Sequence, residues 1–174
     1  RTEYFNSKFD ELRDIDASTP ARKAVRLLRF AVNVAQRAVS CTLPTKDIRN
    51  HITFHAVADV ATELHTLWQL VCNALATLIQ AGSLNHPTKE TISLLEQFLA
   101  TRPKVQAYLA DTKSYLPRKY STSVLVDVPE EPSVNIVERH LSELRRAQPA
   151  SAQQVTRTFP HDECLGERDC SSVP

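Results

Sequence analysis

The chain has 174 residues and a net charge of +1; 42% of it is hydrophobic and 24% charged, with two Gly, ten Pro, four Cys and no Met. That length suits one domain plus tails, with enough chain for a real core, since ~150 residues bury about 70% of their unfolded surface. The glycines, Gly82 and Gly166, stand alone, so no Gly-x-Gly or Walker-type loop exists to cradle a nucleotide phosphate, and near-neutral charge argues against a dedicated nucleic-acid binder.

No apolar run approaches the ~18–20 residues of a transmembrane helix. The opening Arg1-Thr2-Glu3 is not a basic-then-apolar leader. The missing Met fits a processed product or a piece of a longer chain. The compartment expected from these features is intracellular and cytoplasmic.

Residues 2–16 read as a short amphipathic helix, with Tyr4, Phe5, Phe9 and Leu12 at helical spacing. Ala17-Ser18-Thr19-Pro20 breaks it. Thr19 is then an N-cap candidate, with Pro20 at the first helical position, where its missing N–H costs nothing. Residues 20–40 form a second helix, with Ala24, Leu27, Leu28, Ala31, Ala35 and Ala38 on one face. Pro44 ends this stretch, and Thr45 is placed to cap a third helix over 46–81. Neither Pro nor Gly interrupts that run, and Gly82 stands where a C-cap glycine belongs. At 1.5 Å per residue it is roughly 50 Å long, so it should run the length of a bundle.

The turn Gly82–Pro87 leads to a fourth helix from Thr88 to about Ala100, with Ile92, Leu95, Phe98 and Leu99 facing in. Pro103 either opens a fifth, with Val105, Tyr108 and Leu109 facing in, or only kinks the fourth. Residues 117–133 carry three prolines around the β-branched run Ser123–Val128. With no partner strand elsewhere, that run reads as an extended strap, and Tyr120–Ser123 within it offers hydroxyls for phosphorylation. Ser133 caps a last helix to Arg146, with Ile136, Val137, His140, Leu141 and Leu144 on one face. Residues 147–174 hold too few apolar side chains to repay ordering entropy.

The expected architecture is therefore an all-α antiparallel bundle of about five to six helices. It has one long central helix, a short extended segment and a disordered C-terminal tail. Residues 1–146 form the domain and residues 147–174 the tail. The expected core includes Leu27, Leu28, Leu64, Trp68, Val71, Leu75, Leu95 and Leu99.

Four groups of residues carry possible chemistry. His51, His55 and Asp59 recur every fourth residue on one helix face and continue to Glu63; imidazole and carboxylate at that spacing suit Zn²⁺. The same stripe runs on through Thr66, Gln69 and Asn73, which favours a solvated face over a metal site. Arg22, Lys23, Arg26, Arg29 and Arg37 lie in a helix with no acid, whereas residues 1–16 hold three basic and five acidic side chains. Such a basic face can meet an acidic protein, with nucleic acid and anionic membrane ranked lower; partial pairing with the acidic first helix is the plainer reading. A nucleophile such as Cys41 or Cys72 beside a His, or Ser123 with His140 and Asp127, could be assembled by folding. No nucleophile elbow marks one. Cys164 and Cys170 lie in the tail as thiols or, in an oxidising compartment, as a disulfide loop.

With no chemistry-bearing loop and no cofactor motif, the expected function is a non-enzymatic protein–protein interaction module: a scaffold, adaptor or assembly domain, with self-association as one form of partnership. Alternatives are a secreted helical-bundle signalling protein, a viral polyprotein-derived assembly unit, and a metal-dependent helical enzyme.

Overall fold

The structure, a computed structural model, describes residues 2–40, 51–115 and 132–147. Among them are five helices and no strand: α1 (Thr2–Arg13), α2 (Ala21–Ser40), α3 (His51–Gln80), α4 (Lys89–Tyr115) and α5 (Pro132–Ala147). The all-helical bundle expected from periodicity is the observed fold. The extended run 123–128, the tail from residue 148 and the expected first turn of the long helix, 46–50, lie outside the described residues.

Helix α3 is the central element. Its 30 residues span about 45 Å, and it packs against each of the other four helices. From Val57 onward, Ala61, Leu64, Leu67, Trp68, Val71, Ala74, Leu75 and Leu78 are all buried. These positions cover more than one face, as a helix with neighbours on several sides requires. Helix α2 offers Ala24, Leu28, Ala31, Val32 and Ala35, all nearly inaccessible, to α3 and α4. The alanines let the helix axes approach closely. Leu12 of α1 is buried and Phe9 half-buried against the same core.

The end of α3 shows how one glycine shapes the bundle. Gly82 has φ +73°, its N–H donates to the Ile79 carbonyl at 3.0 Å, and the Ser83 N–H donates to the Leu78 carbonyl at 3.0 Å. This pair of bonds is the Schellman arrangement, which satisfies the last helical carbonyls and reverses the chain. Leu84 is then driven into the core at 1% exposure. Thr88 starts α4 by accepting from the Thr91 N–H at 3.1 Å, the expected N-cap bond. The Trp68 and Phe98 rings stack at 4.9 Å and 5°, well up both helices from the turn, so α3 and α4 run antiparallel.

Gly82→Ala tests this reversal. A left-handed backbone costs an L-residue about 1–2 kcal/mol, and the added Cβ would sit 3.0 Å from Asn85 Nδ2. The expected result in urea unfolding is a loss of about 1–2 kcal/mol; an unchanged midpoint would show that the turn does not need this conformation.

Three local expectations are corrected. The first helix ends at Arg13 rather than residue 16. Thr19 does not cap α2: its hydroxyl accepts from the Asp16 N–H and donates to the Asp16 carboxylate, both at 3.0 Å. The first helical bond of α2 instead runs from the Ala24 N–H to the Pro20 carbonyl at 3.0 Å. Finally, Ser133 lies inside α5, which begins at Pro132, rather than capping it. Of the two readings of Pro103, the structure has α4 as one helix through it, with Phe98 and Val105 buried on either side of the proline.

Helix α5 lies against α3 and α4, burying Val134, Val137, Leu141 and Leu144. His140, also buried, donates from Nε2 to the Leu84 carbonyl at 3.1 Å, fastening α5 to the α3–α4 turn. Arg145 pairs with Glu96 of α4 at 2.7 Å.

Candidate functional site

The candidate site is the outer face of α2. Arg22, Arg26, Arg29, Asn33 and Arg37 follow one ridge at intervals of four, three, four and four, and Lys23 lies beside its first turn. The burial of Ala24, Leu28, Ala31, Val32 and Ala35 fixes the rotation of the helix, so the five cations all point to solvent. The ridge from residue 22 to 37 is about 22 Å long at 1.5 Å per residue.

Among the described residues, none of the five cations makes an ion pair. No ion pair joins this face to the acidic first helix among the described residues, although the charge of Lys23 acts on Glu11; the Glu3 side chain lies outside what is described. Three carboxylates of α1 and its following turn are engaged locally. Glu11 accepts from Lys8 within α1, and that bond, aided by the more distant charge of Lys23, holds its carboxyl below the usual range. Asp10 pairs with Arg13. Asp16 accepts from Ser18 and Thr19, which lower its pKa. Where α1 meets the start of α2, Lys8, Glu11, Arg22, Lys23 and Arg26 border an open cleft of about 380 Å³.

This face carries a local energetic cost. The first turn of α2 holds no acid but holds Arg22 and Lys23, at the end where the helix dipole disfavours cations. Like charges at 22/26 and 26/29 repel, each such pair costing about 0.2–0.5 kcal/mol in isolated helices. One polar tie fixes the ridge to the bundle: Gln97 of α4 donates to Asn33 Oδ1 at 3.1 Å.

The other candidate groups fare differently. His55, Asp59 and Glu63 are exposed on α3, and among the described residues no group of three His, Cys, Asp or Glu side chains could hold a metal ion. The His51 side chain lies outside what is described. Cys72 is a buried free thiol, which burial pushes up to about 12 despite the opposing charge of Arg102; it is fully protonated near neutrality and so a poor nucleophile. His140 uses its Nε2 on the Leu84 carbonyl. Cys41, Ser123, Asp127, Cys164 and Cys170 lie outside the described residues.

Two features escaped sequence reasoning. His65 is 5% exposed with no hydrogen-bond partner at Nε2, and Ile52 at the start of α3 is 80% exposed. Each reverses what its polarity suggests. Among the described residues no helix is long and apolar enough to cross a membrane. No family model, curated protein or solved structure matches this chain.

Proposed function

We propose that this chain is a protein–protein interaction module, a scaffold, adaptor or assembly domain without catalysis, whose basic α2 face docks an acidic protein surface. One observation carries the reading: α2 exposes five cations that no carboxylate among the described residues pairs with, in an arrangement that costs helix stability. Local rules broken without a structural return are the expected mark of a functional surface. Exposed arginines along one helix ridge suit charge-assisted, bidentate recognition of carboxylates.

The test is calorimetric titration with a Glu-rich helical peptide at low and moderate salt. Salt-sensitive binding is expected, weakened at least tenfold by the double change Arg26→Glu and Arg29→Glu. The same variant should keep or slightly raise its unfolding midpoint, because it removes repulsion. Absence of binding by the parent at low salt overturns the reading. Tighter binding to anionic vesicles or to RNA than to the peptide would reassign the partner.

A further inference from the structure

We infer that the chain's own acidic stretch, Asp162–Asp169, seats on the α2 ridge and competes there with an acidic partner. This inference rests on the reading of α2 as a docking face.

Charge is the first argument. The whole chain is nearly balanced at +1, yet α2 concentrates five cations with no acid. Among the described residues no carboxylate of α1 or its turn forms an ion pair with them: Glu11 pairs with Lys8, Asp10 with Arg13, and Asp16 accepts from Ser18 and Thr19. Residues 162–169 hold four carboxylates, Asp162, Glu163, Glu167 and Asp169, against the single cation Arg168.

Position is the second argument. Helix α5 does not touch α2 directly, but α4 bridges them through adjacent residues. Arg145, two positions before the end of α5, pairs with Glu96; the next residue, Gln97, bonds Asn33 on the basic ridge. Helix α5 therefore ends about one helix width, ~10–12 Å, from the ridge. Fifteen steps from Ala147 to Asp162 span at most about 50 Å, which exceeds both that crossing and the ~22 Å ridge. A tethered segment within reach experiences an effective concentration in the millimolar range, enough for a weak, multiply charged contact to form.

The experiment uses the full chain under reducing conditions. Zero-length carbodiimide coupling joins carboxylates to contacting amines. Peptide mapping of the monomer should find Glu163 or Glu167 joined to Lys23 in preference to Lys104 and Lys113. High salt should abolish the product. Equal coupling to all three lysines, or none to Lys23, overturns the inference. In parallel, the variant Asp162→Asn, Glu163→Gln, Glu167→Gln and Asp169→Asn should bind the Glu-rich peptide about three- to tenfold tighter than the parent. Unchanged affinity means that the segment does not compete. If neither protein binds the peptide, the docking-face reading fails, while the coupling map still decides where the segment sits.

Discussion

Phe98→Ala is expected to destabilise the protein by about 3–5 kcal/mol, the usual cost of truncating a fully buried aromatic residue. Phe98 has 0% exposure and Trp68 1%, and their nearly parallel rings, 4.9 Å apart, join the central α3 to α4. Aromatic pairing adds about 0.5–1.5 kcal/mol beyond area burial. Against a typical total of about 5–15 kcal/mol, the loss removes a large share of the stability of such a domain. Trp68 is the chain's single tryptophan, so its emission reports the same site in urea unfolding. The variant should unfold at a clearly lower urea concentration, and its native emission should shift to longer wavelength as water reaches the indole. Phe98→Leu, which keeps an apolar side chain, should cost markedly less. A loss below about 1 kcal/mol for the alanine variant would mean that the α3–α4 contact is not built around this pair.

The core was legible because helical spacing and apolar identity agree there. Leu27, Leu28, Leu64, Trp68, Val71, Leu75 and Leu95 are buried as their periodicity requires. Leu99 is only half-buried, and its neighbour Leu94 is fully buried instead. In α4 apolar residues occur at 92, 94, 95, 98 and 99, so spacing alone does not choose between two rotations of the helix; contact with α2, α3 and α5 does. Thr91, Thr101, Thr112, His65 and His140 are buried as well. The α3 and α4 residues among these carry no apolar signal, although two have local partners that lower the cost: Thr112 donates to the Tyr108 carbonyl at 2.8 Å, and Thr91 meets Thr88. His140 was placed on the inward face, but its bond to Leu84, 56 residues away, is a product of tertiary folding that no local pattern encodes. The basic ridge, by contrast, was fully legible as a set of residues. What the sequence left open was whether α1 neutralises it, because that depends on where Glu11 and Asp16 find their partners.

Pro103→Ala should stabilise the protein, by about 1–2 kcal/mol. Pro103 lies inside α4 and is exposed. A proline there supplies no N–H to the Leu99 carbonyl, and its ring crowds that carbonyl; in an ordinary helix interior the penalty relative to alanine is about 3 kcal/mol. Two effects reduce the gain. Alanine frees the unfolded chain, which costs about 0.4–1 kcal/mol. The packing of Val105 and Leu109, both buried beyond the proline, has also adapted to the helix as it stands. The side chain at 103 is exposed, so its removal opens no core cavity to offset the gain. Urea unfolding of the variant should show a higher midpoint with an unchanged slope, since the buried area is the same. A loss of 1 kcal/mol or more would carry a different meaning: the second half of α4 would then be fitted to a course that only proline imposes. The two halves on either side of Pro103 would in that case be distinct packing units, even though the hydrogen-bonded helix runs through both.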